Sequence, residues 1–268
     1  MENLTRQGFD VYLVEWIPPS RADSWRGFDA YVNQDIANAV RAVRRLTGAP
    51  KVTMLGYCFG GLLSLLFAAL HPEEIKNLIT LTTPFDTAVP GNPLFNLESK
   101  FSGQTLDLIT SVYGNCPAWI IRTLFTATAI VHHALDKYVA LYRSREKADY
   151  VEFFDLFERW MASDVPLAGR IFREITCDFF QSNLLIKGEF SIGGERVDTG
   201  NIQCPVLNAI GEMDDVVFPA SSLPLVDCVG SDDKMNLTFP SGHIGMVVSG
   251  AAHKQFWPKV GAWLDERD

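Results

Sequence analysis

The sequence predicts an α/β protein whose mostly parallel sheet carries a helical cap, inserted before the strand that bears an acidic loop. Three observations support this fold class. Short apolar runs alternate with helical patterns, a glycine-flanked cysteine lies where a strand passes into a helix, and an aromatic-rich helical stretch interrupts the alternation. With 268 residues, 47% of them hydrophobic, the chain can bury a sizeable core. We expect a first core part at 1–86, a cap or lid at 87–200 and a second core part at 201–268.

The first core part is predicted from hydrophobic periodicity. Alternating apolar residues that stop at Pro18 and Pro19 predict a strand. Apolar side chains that recur every three or four residues predict a helix that ends near Gly48. The predicted elements are a strand at 9–16, a helix at 28–46, a strand at 51–55, a helix at 60–70 and a strand at 78–83. Their order predicts parallel strands joined by right-handed crossovers.

Residues 87 to about 181 contain helical stretches dense in aromatic side chains and no strand–helix alternation. As a group these aromatics fit an apolar entrance over the site, although core packing is the commoner role of any single one. His132 and His133 lie in this segment without a carboxylate or third histidine at ligand spacing, so we treat both as structural and expect no metal site. The later predicted elements are a hairpin or loop at 191–198, a strand that starts at Pro205, a strand at 235–239 and a helix at 252–264.

A sharp turn is predicted at residues 56–61, where Gly56, Gly60 and Gly61 surround Cys58. A Gly-x-nucleophile-x-Gly turn between strand and helix is the nucleophile elbow of the α/β-hydrolase fold, and it projects the central side chain from the top of the sheet. A helix N-terminus favours negative charge, and the thiolate is the reactive form of cysteine. Cys58 is therefore the candidate nucleophile, with an ordinary buried cysteine as the alternative.

Two later segments supply an acid and a histidine in the chain order that α/β-hydrolases use. Asp214 and Asp215 follow the predicted strand that starts at Pro205, and His243 follows the strand at 235–239. The carboxyl ends of parallel strands share one edge of a sheet, so these side chains can meet Cys58 there. His243 would take the Cys58 proton, and an acid from the first loop would orient His243. The residues alone do not choose between Asp214 and Asp215.

Amino-acid composition and cysteine spacing indicate which classes of partner and which cellular compartment to expect. The balance of 32 acidic and 23 basic residues gives a net charge of -9, which argues against nucleic acid as a partner. Five cysteines at wide spacings, without a C-x-x-C pair, indicate neither a disulfide framework nor a zinc site. The N-terminus lacks a signal-peptide pattern, and glycines interrupt the most apolar stretch, so we expect a cytoplasmic protein that is not transmembrane.

The chain resembles the polyhydroxyalkanoate synthases (PhaC), which polymerise hydroxyacyl-CoA into storage polyesters. The likeness covers nearly the whole chain and rests on residues 8–16, 56–61, 71–72, 78–86, 183–185, 192–194, 215–219 and 241–245. A lipase-like box with cysteine in place of serine is a specific signal for this family. The residues around His243 and at 257–264 look most like the class III synthases, which work with a second subunit, PhaE.

The resemblance implies roles for individual residues. Cys58 would carry the growing acyl chain as a thioester, His243 would be the base, and the backbone N–H of Phe59 would be an oxyanion donor. The family's acid precedes its proline by four residues, which selects Asp215 before Pro219. No cofactor is implied, because CoA is part of the substrate and is a product. The implied partners are (R)-3-hydroxyacyl-CoA, a second copy in a homodimer, a PhaE-type subunit and the polyester granule, with a location in the cytoplasm or at the granule surface.

The sequence departs from the family pattern ahead of Phe9, where the family's first strands have no counterpart. In the usual α/β-hydrolase strand order one strand lies between the predicted strands at 9–16 and 51–55, and its absence would leave backbone groups without partners. Either the chain is a fragment, or the two strands close up. The loop that supplies the second oxyanion N–H is also lacking. Two alternative functions stay open. One is a Cys-dependent thioesterase with the same triad, and the other is an inactive truncated synthase that binds a partner subunit or granule.

Overall fold

A parallel sheet forms the centre of the protein. The computed structural model describes residues 2–91, 101–129 and 165–267, and five single positions between 151 and 159. The strands are β1 Val52–Tyr57, β2 Ile75–Leu81, β3 Ser191–Ile192, β4 Glu195–Arg196, β5 Val206–Gly211 and β6 Lys234–Phe239. Four of them form a parallel sheet in the order β1-β2-β5-β6, and β3 and β4 form a separate antiparallel hairpin. The predicted α/β fold class is confirmed.

The strand register brings the carboxyl ends of the sheet to one edge. Tyr57 at the end of β1 lies beside Leu81 at the end of β2, and Leu81 lies beside Ala209 of β5. Gly211 at the end of β5 lies beside Phe239 at the end of β6. The loops that follow β1, β5 and β6 therefore leave the sheet at a common edge, where ligands of open α/β sheets bind.

Within the described ranges, helices precede, connect and follow these strands. The helices are α1 Glu2–Arg6, α2 Ala37–Thr47, α3 Phe59–Leu70, α4 Gly103–Tyr113, α5 Ala118–Ala129, α6 Gly169–Glu174, α7 Pro219–Ser222, α8 Leu225–Cys228, α9 Gly245–Val248 and α10 Trp257–Asp265. Wider π-helical turns lead into α2 (Ala30–Ile36) and α10 (Ala252–Phe256), so the helices predicted at 28–46 and 252–264 are each one continuous helical run. The helix α2 ends at Gly48, whose φ of 73° is left-handed and suits glycine.

The core has two layers, one on each face of the sheet. Leu78 of β2 and Val206 of β5 pack in one cluster with the apolar side chains of α3. Their chain neighbours Ile79 and Leu207 pack in a second cluster with the C-terminal helix α10. Successive side chains of a strand point to opposite faces, so a sheet covered on both sides needs apolar residues at consecutive positions. This explains the consecutive apolar pairs Leu78–Ile79 in β2 and Val206–Leu207 in β5.

The prediction of a strand at residues 9–16 is wrong. These residues have an irregular backbone, and among the described residues β1 pairs only with β2, so no strand pairs with this segment. Phe9 and Val11 pack against the second core layer, whereas Leu13 and Ile17 are largely exposed. Alternating hydrophobicity favours a strand, but a strand also needs a neighbour to accept its backbone hydrogen bonds.

The remaining predicted elements occur with shifted ends. The strand β2 begins at Ile75 rather than Leu78, and α3 begins at Phe59, directly after the candidate nucleophile. Of the predicted cap, the structure describes α4, α5, α6 and the hairpin, while His132 and His133 lie outside the described residues. Within the described ranges, no helix combines the length and the apolar character needed to cross a membrane.

Candidate active site

Cys58 occupies a strained turn between β1 and α3. Its φ of 54° and ψ of -121° lie outside the regions that non-glycine residues ordinarily adopt, as expected for a nucleophile elbow. The Cys58 N–H donates to the carbonyl of Leu81 at 2.8 Å, which ties the turn to the neighbouring strand. The same carbonyl accepts from the Thr82 hydroxyl at 2.8 Å. The elbow is therefore held in place from β2.

Two of the three elbow glycines are required by close packing. A Cβ on Gly56 would lie 2.4 Å from the carbonyl oxygen of Gly60 and 2.5 Å from the Cα of Gly61. A Cβ on Gly61 would come within 1.8 Å of Thr83 Oγ1. A Cβ on Gly60 would meet no atom within 4 Å. Gly56 and Gly61 thus allow the strand and helix to approach, whereas Gly60 leaves open space beside Cys58.

His243 and Asp214 form a buried pair after β6 and β5. His243 Nδ1 lies 2.7 Å from Asp214 Oδ2, and both side chains are almost completely buried. The other carboxylate oxygen of Asp214 accepts the backbone N–H groups of Val216 at 2.9 Å and Val217 at 2.8 Å. These bonds fix the carboxylate, and the carboxylate in turn fixes the tautomer and orientation of the imidazole.

Opposing effects act on the pKa of His243. Burial lowers this pKa, but hydrogen bonds with Asp214 and Cys58, and the negative charges of both groups, outweigh burial and raise it to about 10. The imidazole therefore holds a proton at neutral pH.

The structure places Asp214, and not the predicted Asp215, against His243. The N–H of Asp214 bonds to the carbonyl of Gly211 at 3.1 Å, and this tight turn points the Asp214 side chain inward, while Asp215 is exposed. The family resemblance selects Asp215 by its spacing of four residues before Pro219. Counting forward from Gly211, where β5 ends, would have found Asp214 because the turn is anchored to the strand.

Two further groups near Cys58 lie within the part of the chain that the structure describes. The N–H of Phe59 is the first of α3 and has no hydrogen-bond acceptor among the described residues, so it is available to a ligand oxygen. Tyr57, to which no sequence signal assigns a role, lies against the ring of His243 with ring centroids 5.0 Å apart. Its position on the last residue of β1, facing the loop after β6, follows only from the sheet order.

Three other potential ligand groups lie together away from this site. Atoms of His71, Glu73 and Glu74 lie within 4.8 Å of one another. Glu74 forms an ion pair with Arg44 at 2.6 Å, and His71 Nε2 lies 3.0 Å from Asn33 Oδ1. Because His71 and Glu74 already have protein partners, we assign no metal to this group.

Comparison with known proteins agrees with this geometry. Residues 1–259 match the profile of the family described as alpha/beta hydrolase fold. Among solved structures, a monoacylglycerol lipase of Paleococcus ferrophilus aligns with a TM-score of 0.52 at 14% identity, covering 91% of this chain and 78% of the lipase. The fold and the elbow therefore define the class of the protein as an α/β-hydrolase.

Comparison with sequence relatives identifies the family of the chain within this class. The chain is 36% identical over 267 residues to the poly(3-hydroxyalkanoate) polymerase subunit PhaC of Allochromatium vinosum, covering 100% of this chain and 74% of the relative. It is 34% identical over 269 residues to the PhaC subunit of Haloferax mediterranei, covering 100% of this chain and 54% of that relative. The chain belongs to the PhaC family of poly(3-hydroxyalkanoate) polymerase subunits, as its sequence motifs predicted.

Proposed function

We propose that this protein is an acyltransferase that polymerises (R)-3-hydroxyacyl-CoA into polyhydroxyalkanoate and releases CoA, with Cys58 as the covalent nucleophile. The observation that carries the proposal is the location of Cys58 in a nucleophile elbow, with the buried His243–Asp214 pair as its neighbour. The PhaC relatives, which are named as polymerase subunits, support polymerisation as the activity and do not favour a thioesterase.

The first half-reaction would load the enzyme. The Cys58 thiolate attacks the thioester carbonyl of hydroxyacyl-CoA, and the carbonyl oxygen takes up the negative charge. The C–S bond to CoA then breaks, and the CoA sulfur takes the proton that His243 holds. The products are CoA, an acyl-Cys58 thioester and a neutral His243.

The second half-reaction would extend the chain. Neutral His243 removes the proton from the 3-hydroxyl of one hydroxyacyl unit while that oxygen attacks the acyl-Cys58 carbonyl of another. An ester bond forms, the bond to sulfur breaks, and Cys58 leaves as a thiolate beside protonated His243. Asp214 keeps its hydrogen bond to the imidazole and orients it.

The negative charge on the carbonyl oxygen requires a donor in both half-reactions. The Phe59 N–H lies next to the nucleophile at the start of α3, where the helix dipole also favours negative charge. We therefore assign Phe59 as one oxyanion donor. Losing one such donor costs on the order of a hundredfold in rate, so a donor at this position has a large effect.

The proposal includes the partners that the family resemblance implies. These are a homodimer, a PhaE-type second subunit and the surface of the polyester granule in the cytoplasm. Light scattering of the purified chain, with and without such a subunit, tests the first two. Co-sedimentation with isolated granules tests the third.

The test of function is CoA release from (R)-3-hydroxybutyryl-CoA by the purified protein, with polymer and free acid measured separately. We expect polymer from the protein and none from Cys58→Ala, together with an acyl adduct on the Cys58 peptide by mass spectrometry. Cys204→Ala is the matched control, because Cys204 is a half-buried cysteine just before β5, at the opposite end of the sheet.

Three results would contradict the proposal. Free acid in place of polymer would assign the chain to the thioesterases. Polymer from Cys58→Ala would exclude Cys58 as the nucleophile. No CoA release, even with a PhaE-type subunit present, would show that this chain is not a polymerase.

A further inference from the structure

Tyr57 contacts His243 at two points. The centroids of the phenol and imidazole rings lie 5.0 Å apart, with the ring planes at 40°. The Tyr57 hydroxyl donates to the backbone carbonyl of His243 at 3.3 Å. Tyr57 is the last residue of β1 and precedes Cys58, so one rigid strand end carries both the candidate nucleophile and the residue that contacts its histidine.

We propose that Tyr57 is a positioning residue for His243. Its ring holds the imidazole against Asp214 and stabilises the protonated form, and its hydroxyl anchors the backbone of the loop after β6. This inference rests on the proposed function, since it assigns Tyr57 a role in activating Cys58.

The contact between the two rings gives Tyr57 an electrostatic effect on His243. An aromatic face is electron-rich and attracts a cation within about 6 Å of its centroid. His243 meets that condition whenever it is protonated, and its burial strengthens the attraction because little water screens it. Among the described residues, the titratable groups that face His243 are Cys58, Asp214 and Tyr57 itself.

Tyr57 can act as a neutral donor throughout the cycle. Burial, and the negative charges of Cys58 and Asp214, raise the pKa of its hydroxyl well above the ordinary value for tyrosine. The hydroxyl therefore keeps its proton over the pH range in which an enzyme works. The bond to the His243 carbonyl needs that proton, because a carbonyl oxygen only accepts.

Two substitutions separate the ring from the hydroxyl. Tyr57→Phe keeps the ring and removes the bond to the carbonyl, whereas Tyr57→Leu keeps an apolar side chain and removes both. If the ring stabilises the imidazolium, its loss weakens the thiolate–imidazolium pair. The pH at which Cys58 becomes reactive then moves upward in Tyr57→Leu and much less in Tyr57→Phe.

The experiment is the pH dependence of Cys58 alkylation by iodoacetamide between pH 5 and 10, followed by mass spectrometry of the Cys58 peptide. We expect the midpoint to rise by about half a pH unit to one unit in Tyr57→Leu, the size of a cation–aromatic contact in a partly desolvated site. Tyr31→Leu is the matched control. Tyr31 is also partly buried and contacts Trp16, away from His243.

Each other outcome would overturn the inference. An unchanged midpoint in Tyr57→Leu would exclude the ring as a stabiliser of His243. An equal shift in Tyr57→Phe would transfer the effect to the hydroxyl, and an equal shift in Tyr31→Leu would assign it to general loss of packing. Circular dichroism checks that each variant folds. If Tyr57→Leu does not fold, Tyr57→Met is the second variant without an aromatic ring.

The readout separates this inference from the proposed function. Alkylation needs no acyl substrate, so the pH dependence of Cys58 alkylation can be measured even for a protein that releases no CoA. A shifted profile without CoA release would support the role of Tyr57 and reject the polymerase. Polymer formation with an unshifted alkylation profile would support the polymerase and reject the role of Tyr57.

Discussion

The substitution Asp214→Asn removes one charge from the centre of the candidate site and leaves its shape unchanged. The amide oxygen of the new asparagine side chain can still accept the N–H groups of Val216 and Val217, so we expect the loop after β5 to keep its conformation. What is lost is the carboxylate that bonds to His243 at 2.7 Å in a buried setting. The substitution therefore tests the electrostatic contribution of Asp214.

The size of the expected fall in rate follows from the burial of the His243–Asp214 pair. Breaking a buried charge pair by removing one partner costs about 3–5 kcal/mol. A tenfold change in rate corresponds to about 1.36 kcal/mol, so a loss of this size borne by the imidazolium in the transition state lowers the rate of CoA release by roughly 10²- to 10⁴-fold. Asp215 is exposed, and exposed substitutions change free energies by about 0.5 kcal/mol or less, so Asp215→Asn should alter the rate by about twofold at most.

The assay is the initial rate of CoA release at neutral pH for the parent protein and both aspartate variants. Urea unfolding shows whether each variant is folded. The rate of Cys58 alkylation gives a second readout of thiol activation. A large loss in Asp215→Asn with a small loss in Asp214→Asn would refute the assignment of Asp214 and restore the acid that the sequence motif selected.

Two further predictions concern stability. Gly56→Ala and Gly61→Ala should each lower the free energy of unfolding in urea by about 1–3 kcal/mol, because the new Cβ meets the Gly60 carbonyl or Thr83. Gly60→Ala should be neutral or stabilising by up to about 1 kcal/mol, and a loss there equal to that of Gly61→Ala would contradict the packing argument. Protonated His243 should stabilise the fold fully below its ordinary pKa of 6.5, and this contribution should fade as pH rises through about 10. The urea midpoint should therefore fall over that range more steeply than in His243→Gln, and identical slopes would show that His243 does not titrate as inferred.

The local elements of the fold were predictable because their signals lie within a few residues of sequence. The turn at Cys58 needs glycines at close spacing, and the buried strands β2 and β5 need consecutive apolar residues. The order of nucleophile, acid loop and histidine then placed Cys58 and His243 at one sheet edge. The segment at 9–16 has an equally clear alternating pattern, yet it forms no strand, because pairing depends on a neighbour that the pattern does not specify.

The sequence by itself determined the fold class, the candidate nucleophile and the candidate histidine, since each is bound to a short motif beside a strand end. Only the tertiary structure decided between Asp214 and Asp215, because the turn from Gly211 points one carboxylate inward and leaves its neighbour exposed. Only the structure brought Tyr57 onto His243, which lies 186 residues away in the chain. The physical reason is that side-chain direction in a loop depends on backbone hydrogen bonds to distant strands, which no local pattern encodes.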